Sequence, residues 1–450
     1  MNRLAPAPAP SPAATSSSRL LIAGGLVIDP SQGLEAVRDI LIENGKIAEV
    51  RAGLARRKDL RGVRMLDAAQ AWVVPGLIDL HVHLREPGRE SEETIASGAR
   101  AAAAGGLTTV LAMPNTEPPI DSPALVSLLK SKAASEGLVN VLVAGAATLG
   151  QKGERLTEIH GMAAAGARAV TDDGRPLMNA ELMRRALEYA RDCAIPFMDH
   201  CEDTNLSAGG VIHEGVAAAL KGLRGIPWAS ETVMVLRDIA LSELTGAHVH
   251  LAHVSAARSV AAVREAKKRG IRVTAEATPH HLALCEEDMR DYDADFKMNP
   301  PLRSARDREA LAEGLSDGTL DAIATDHAPH SPGQKALGLQ LAPFGVIGLE
   351  TSLGVAMTKL LSAKVLGRKQ LVERMSAAPA RILGLKTKGS LKPGMDADLT
   401  VIDPSASWKV EPPFASKSRN SPFLGMALKG RARATLVGGR IVHDGQSHAL

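Results

Sequence analysis

The chain has 450 residues, enough for one large barrel with a smaller unit attached, and 45% of them are hydrophobic, which supplies a sizeable core. Only 2% are aromatic, so that core is expected to be built from Ala, Leu, Val and Ile, and stacking platforms for single-stranded nucleic acid are ruled out as a theme. The 53 basic and 50 acidic residues are spread along the chain and leave a net charge of +3, which asks for no polyanionic partner.

In chain order, residues 1–18 are a Pro/Ala/Ser tract (Ala5-Pro6-Ala7-Pro8-Ala9-Pro10, then Ser16-Ser17-Ser18) and read as a disordered tail. The tract lacks the apolar centre of a secretory signal, and nothing downstream approaches the roughly 18 uninterrupted apolar residues of a membrane span. The three cysteines, Cys193, Cys201 and Cys285, are too few and too irregular for a disulfide framework, so a reduced, cytoplasmic setting is expected. From 19 to 72 short apolar runs alternate with turns, and Asn44-Gly45 between two such runs predicts a hairpin. The same style returns in 386–450, for example in Asp398 to Asp403 and Ala434 to Val442. One small β-sandwich domain built from both termini is therefore expected, as 19–72 plus 386–450, with 73–385 inserted as a larger domain.

That central region offers eight candidate buried strands, near Leu77 to His83, Thr108 to Met113, Asn140 to Ala144, Ala167 to Thr171, Ile195 to Asp199, His248 to His253, Arg272 to Glu276 and Asp321 to Thr325. Helix-compatible segments such as Ile95 to Ala104 and Ser259 to Arg269 separate them. Alternating strands and helices imply parallel βαβ units, and eight of them predict an α/β fold of the closed TIM-type (β/α)8 barrel kind. An open doubly wound sheet is disfavoured, because no Gly-rich phosphate loop opens the first helix.

Chemistry-bearing residues gather at the C-terminal ends of these strands, which is the catalytic face of a barrel. His81 and His83 are two apart on the first strand, so both imidazoles face one way. Asn115 follows strand two, Asp172 and Asp173 follow strand four, His200 ends strand five, His253 ends strand six and Asp326 ends strand eight. Four His with two Asp suffice for two borderline-soft divalent ions, zinc first, and hence for two-metal hydrolysis. Other histidines are given structural roles: His160, His213, His248, His250, His280 and His281. His327 is expected to orient its neighbour Asp326 or to pack, and His330 to lie on a loop over the site. The segment Ser331 to Gly345, rich in glycine with little apolar periodicity, is expected to be a mobile lid.

Seven motifs carry a resemblance that covers nearly the whole chain beyond residue 18. They are Asp79 to Gly88, Ala112-Met113-Pro114-Asn115-Thr116, Thr171-Asp172-Asp173-Gly174, Asp199-His200-Cys201-Glu202-Asp203, Ala252-His253-Val254-Ser255, Lys297 to Arg303 and Ala324 to His330. In these the chain resembles the bacterial type I dihydroorotases of the amidohydrolase superfamily. Carried over by position, the resemblance implies that His81, His83 and Asp326 bind one zinc ion, that His200 and His253 bind the other, and that Asp173 bridges them. Many relatives, hydantoinases and allantoinases among them, bridge instead with a carboxylated lysine, and the strand-four segment here has none. The resemblance further implies that Arg85 and Asn115, with His83 nearby and His330 helping, clamp a substrate carboxylate, that Asn299 and the Phe344-Gly345 backbone contact a pyrimidine ring, and that Asp326 is the catalytic acid and base. A surface salt bridge from Arg85 to Glu86 or Glu90 is the plain alternative for that guanidinium.

The implied reaction is the reversible hydrolysis of L-dihydroorotate to N-carbamoyl-L-aspartate in pyrimidine biosynthesis. Allantoinase-like or hydantoinase-like activity and a non-catalytic scaffold for aspartate transcarbamoylase are the rivals. Expected partners are a small-molecule substrate, a second copy in a homodimer and, as an option, an aspartate transcarbamoylase complex, with no nucleic acid and no membrane.

Overall fold

A computed structural model of the chain describes residues 19–445, so the tail expected over 1–18 lies outside the described residues. Eight parallel strands, Leu77–Val82, Leu107–Ala112, Asn140–Ala146, Ala169–Thr171, Phe197–Asp199, Val249–Leu251, Val273–Ala277 and Ala322–Ile323, are hydrogen-bonded in sequence order. The first two are buried at every position, as strands covered on both faces must be. The first strand also meets the chain just beyond the eighth: Val82 pairs with His327 in parallel, and the His83 amide donates to the His327 carbonyl at 2.8 Å. Asp79 reinforces this closure, its Oδ1 accepting from the amides of His81 at 3.1 Å and Thr325 at 3.0 Å. Closing the sheet brings the ends of strands one and eight together, although 240 residues of chain separate them.

Helices follow the strands, and their starts are written in the sequence. Thr94 caps Ile95–Ala104 in a capping box with Ser97, and Ser304 does the same for Ala305–Asp317 with Asp307. The core is aliphatic as the composition requires. Leu80, Leu111, Ala144, Ala169, Met198 and Ala322, from six of the barrel strands, pack in one cluster with Ile382 and Leu383.

The terminal segments form a separate eight-stranded sheet in the order Arg440–Asp444, Ala427–Val437, Leu399–Lys409, Trp72–Pro75, Arg19–Asp29, Leu34–Glu43, Lys46–Arg51, with Arg64–Asp67 added against Arg19–Asp29. Its Asn44-Gly45 hairpin is as expected, with φ of 52° and 76° at the two turn residues, as a two-residue turn between twisted strands needs. One boundary moves. Val73, Val74 and Pro75, assigned above to the barrel, pair with Val401, Thr400 and Leu399 in the terminal sheet. The apolar run is continuous from Trp72 to Ile78, so its pattern gives no sign of the change of sheet. The joint is Gly76, where a Cβ would lie 2.1 Å from Thr108 Oγ1. Among the described residues no helix is long and apolar enough to cross a membrane.

Candidate active site

All the site residues picked out from the sequence except His81 line one cavity of about 220 Å3 at the C-terminal ends of the barrel strands, and His81 is buried against them. Arg89, Gly174 and Ala328 complete the wall. Three site residues, Arg85, His253 and Asp326, have φ of 61°, 33° and 47°, a left-handed backbone that side-chain-bearing residues adopt at a cost of about 1–3 kcal/mol and that collects at functional sites.

The imidazoles and carboxylates converge. Asp173 Oδ1 lies 3.2 Å from His81 Nε2, 3.6 Å from His253 Nε2 and 3.8 Å from His200 Nδ1, while Oδ2 lies 3.5 Å from His83 Nε2. Asp326 Oδ1 lies 3.0 Å from His83 Nε2 and 3.5 Å from His81 Nε2. His200 Nδ1 and His253 Nε2 are 3.0 Å apart. Two outer nitrogens are held from behind, His83 Nδ1 by Asn115 Oδ1 at 2.8 Å and His200 Nε2 by Glu202 Oε2 at 2.9 Å, whereas His81 Nδ1 lies 3.4 Å from Glu276 Oε1 without a hydrogen bond and His253 Nδ1 has no partner. Protonation on the outer nitrogen leaves lone pairs pointing inward at carboxylate oxygens and at one another, an arrangement that only positive charge in the middle stabilises. Buried and without a hydrogen-bond partner, His81 Nε2 and Asp173 Oδ1 are the kind of polar atoms that need an external partner. The groups His81, His83, Asp326 and His81, Asp173, His253 each have ligand atoms within 4.8 Å of one another, so the donor set fits divalent metal ions.

The electrostatics agree. Burial opposes protonation of His81, but Asp173, Glu276 and Asp326 outweigh it and hold that imidazole well above its ordinary range. Burial would raise Asp173, yet His81, His253 and His83 hold its carboxyl well below the usual range. Asp326 is likewise lowered against burial by His83 and His81. This end of the cavity therefore attracts cations.

Asp172 behaves differently. One oxygen accepts from the amides of Ala147 at 2.8 Å and Thr148 at 3.0 Å, and the other from the Thr148 hydroxyl. The carboxylate is used up in holding the loop after strand three, which leaves Asp173 to face the imidazoles.

At the opposite wall Arg85 is buried, donates from Nε to the Pro329 carbonyl at 3.1 Å and lies 3.6 Å from Glu92, not beside Glu86 or Glu90. Arg89 shares the same Glu92 at 2.6 Å. Two guanidiniums on one carboxylate leave net positive charge at this wall, which favours anionic groups. His330 donates from Nε2 to the Phe344 carbonyl at 2.7 Å, and burial lowers its pKa to about 4, so it stays neutral beside Arg85. Phe344 and Gly345 line the cavity, but the Gly345 amide already donates to Lys297 O at 2.9 Å and its carbonyl accepts from Asn420 at 3.0 Å. What this stretch offers a ligand is carbonyl lone pairs. The expected lid is partly ordered: Pro332–Lys335 and Gly338–Leu341 form helical turns, and Lys335 Nζ donates to Pro343 O at 3.1 Å and Lys297 O at 3.3 Å.

The histidines set aside mostly find structural partners. His281 bonds Thr278 and the Pro300 carbonyl, His250 bonds Thr274 and Glu276, and His248 bonds Thr274. His280 is buried with Nε2 unpartnered. His327 does not orient the Asp326 carboxylate; its ring lies between Glu93, 3.2 Å from Nε2, and the Gly348 amide. Sequence reasoning missed Glu92, Glu202 and Glu276 behind the site and Arg89 on its wall. Glu202 was within a quoted motif, two residues after His200, and that adjacency was its only signal.

Comparison with known proteins follows the same lines. A family profile described as dihydro-orotase-like matches residues 71–259, and an amidohydrolase family profile matches residues 242–443. The chain is 54% identical over 425 residues to the dihydroorotase of Pelotomaculum thermopropionicum, covering 94% of this chain and 98% of that protein. It is 52% identical over 431 residues to the dihydroorotase of Anaeromyxobacter dehalogenans, covering 95% and 98%. Among solved structures it is similar to the L-hydantoinase (dihydropyrimidinase) of Arthrobacter aurescens, with a TM-score of 0.85 at 26% identity over 94% of this chain and 96% of that one. The dihydropyrimidinase of Brevibacillus agri shares the fold, with a TM-score of 0.83 at 23% identity and 95% of each chain covered.

Proposed function

Because the chain belongs to the dihydroorotase family of amidohydrolases, we propose that its cavity interconverts L-dihydroorotate and N-carbamoyl-L-aspartate at a centre of two zinc ions bridged by Asp173. In this reading His81, His83 and Asp326 would hold one ion and His200 and His253 the other, and zinc bound there would supply Lewis-acid polarisation of the scissile carbonyl and a water made nucleophilic near neutral pH.

The remaining work falls to the chain. Asp326, between the imidazoles and the open cavity, accepts the proton of the attacking water and returns it to the departing ring nitrogen, acting as base and then as acid. Arg85 receives the substrate carboxylate with its planar fork, and neutral His330 and the Asn115 amide complete the clamp. Asn115 also holds His83 through Oδ1, so the carboxylate clamp and the metal end are set in one register. Carbonyl lone pairs at Phe344 suit a ring N–H, and Asn299 faces the ring from the far side.

The observation that carries the reading is the contrast between two adjacent carboxylates, Asp172 spent on backbone and hydroxyl donors and Asp173 aimed at four imidazoles, in a strand-end segment without lysine. A hydantoinase-like specificity would leave buried Arg85 without a task, and a scaffold would have no need of the complete ligand set. A homodimer belongs to the same proposal, for which exposed Val216 and Leu220 offer apolar contact surface. Association with aspartate transcarbamoylase is compatible with it.

The test is to assay the purified protein with L-dihydroorotate while measuring zinc by elemental analysis. Turnover is expected with about two zinc ions per chain, lost on chelation and regained on adding zinc. Full turnover by metal-free protein would refute the proposal.

A further inference from the structure

Behind the cavity one carboxylate does two tasks. Glu202 follows His200 by two residues, between the fifth strand and the helix Thr204–Ser207, and its Oε2 is 2.9 Å from His200 Nε2 and 2.9 Å from Asn299 Nδ2. His200 and Asn299 are 99 residues apart in sequence and belong to different strand-end loops. Among the described residues, only Glu202 accepts hydrogen bonds from both.

We propose that Glu202 is a positioning residue that sets His200 for the metal and Asn299 for the substrate through a single oxygen atom. A carboxylate accepts and does not donate, so it decides the orientation of both neighbours. Toward His200 it requires the proton on Nε2, which leaves the Nδ1 lone pair facing His253 Nε2 at 3.0 Å and Asp173 Oδ1 at 3.8 Å. Toward Asn299 it requires the amide nitrogen, which fixes the flip of the amide and so the side on which its oxygen lies. The Asn299 nitrogen also lies 3.4 Å from His200 Nε2, but with both groups donating to Glu202 this is proximity and not a bond. Asn299 is thereby held in one orientation, with its oxygen free to accept from the N–H groups of a cyclic imide or of an open ureido chain. Filling of the second metal site and recognition of the ring N–H then share one hinge point. The inference rests on the proposed binuclear dihydroorotase centre and adds to it a residue that touches neither ion nor substrate.

The test uses zinc-loaded holoenzyme and the variants Glu202→Ala, Glu202→Gln and Asn299→Ala. Zinc retention during dialysis against a chelator, read by elemental analysis, needs no activity. Glu202→Ala is expected to lose about half its zinc about 10–100-fold faster than the parent, the usual effect of removing a carboxylate behind a ligating histidine. Its KM for dihydroorotate should rise about tenfold, the equivalent of one hydrogen bond. Asn299→Ala should raise KM by a similar factor while keeping its zinc, and adding it to Glu202→Ala should raise KM little further. Glu202→Gln, whose amide oxygen accepts from the same place, should recover a large part of both losses. Glu202→Leu repeats the test if the alanine variant is insoluble. Parental zinc retention and KM in a folded Glu202→Ala or Glu202→Leu variant would overturn the inference, as would fully multiplicative KM effects. Absence of dihydroorotate turnover in the parent would instead overturn the function on which it rests.

Discussion

Adjacent residues of one chemical type can have unrelated tasks, and Asp172 and Asp173 show how burial and donors separate them. Asp172→Ala removes the acceptor for two amides and a hydroxyl and is expected to cost about 2–4 kcal/mol of stability while the protein keeps its zinc, because buried donors left unpaired are expensive. Asp173→Ala should lower zinc content and abolish turnover with little loss of fold. Elemental analysis and urea unfolding of both variants check this, and zinc loss confined to the Asp172 variant would reverse the assignment. Arg85→Met is expected to raise KM and lower kcat for dihydroorotate together, by about 2–3 kcal/mol in kcat/KM, with zinc unchanged, since a buried carboxylate would lose a charged bidentate partner. Parental kinetics would remove Arg85 from the site. At this scale the sequence was informative for groups on strand ends, because the period of two and the barrel's polarity fix where they point. It was silent on Glu92 and Glu276, whose partners come from elsewhere in the chain and leave no local pattern.

Among the elements, the segment from Ser331 to Gly345 departs most from its sequence. Poor periodicity suggested an unstructured lid, yet two short helical turns are anchored by Lys335, whose ammonium is buried among backbone carbonyls. A lone lysine in a surface-loop pattern of Gly, Pro and Gln gives no warning that it will be buried. Burial lowers its pKa to about 8, below the roughly 10.4 of an unfolded chain. Between those values the unfolded chain binds more protons than the folded one, so this group makes stability rise as pH increases through that window. Lys335→Met should lack the rise, and the difference in Tm between parent and variant should therefore shift in the parent's favour between pH 7 and pH 9.5. A difference independent of pH would contradict the assignment. The eight barrel strands were legible, since most are short apolar runs and several are followed by a polar strand end. The short strand Trp72–Pro75 was not, because the same apolar run serves two sheets with only Gly76 at the joint.

Over the whole molecule, the terminal sheet and the barrel share a continuous path. Trp72–Pro75 is paired on one side with Leu26 and Val27 and on the other with Leu399 to Ile402, then leads through Gly76 into the strand that carries His81 and His83. The similarity in style of the two terminal regions predicted that they meet, whereas their strand order could not be read from either alone. The same scaffold, with TM-scores of 0.85 and 0.83, carries a hydantoinase and a dihydropyrimidinase, so the barrel does not choose the substrate and the cavity wall must. On the proposed function, the cation-attracting histidine and aspartate end would serve any cyclic amide, and the Arg85 end one that bears a carboxylate. The most direct measurement is therefore kcat/KM of the zinc-loaded protein for L-dihydroorotate against 5,6-dihydrouracil, the same ring without the carboxylate. A preference for dihydroorotate of at least about a hundredfold is expected, since loss of a charged, bidentate partner in a buried site is worth about 3 kcal/mol. Equal values, or a preference for dihydrouracil, would contradict the account.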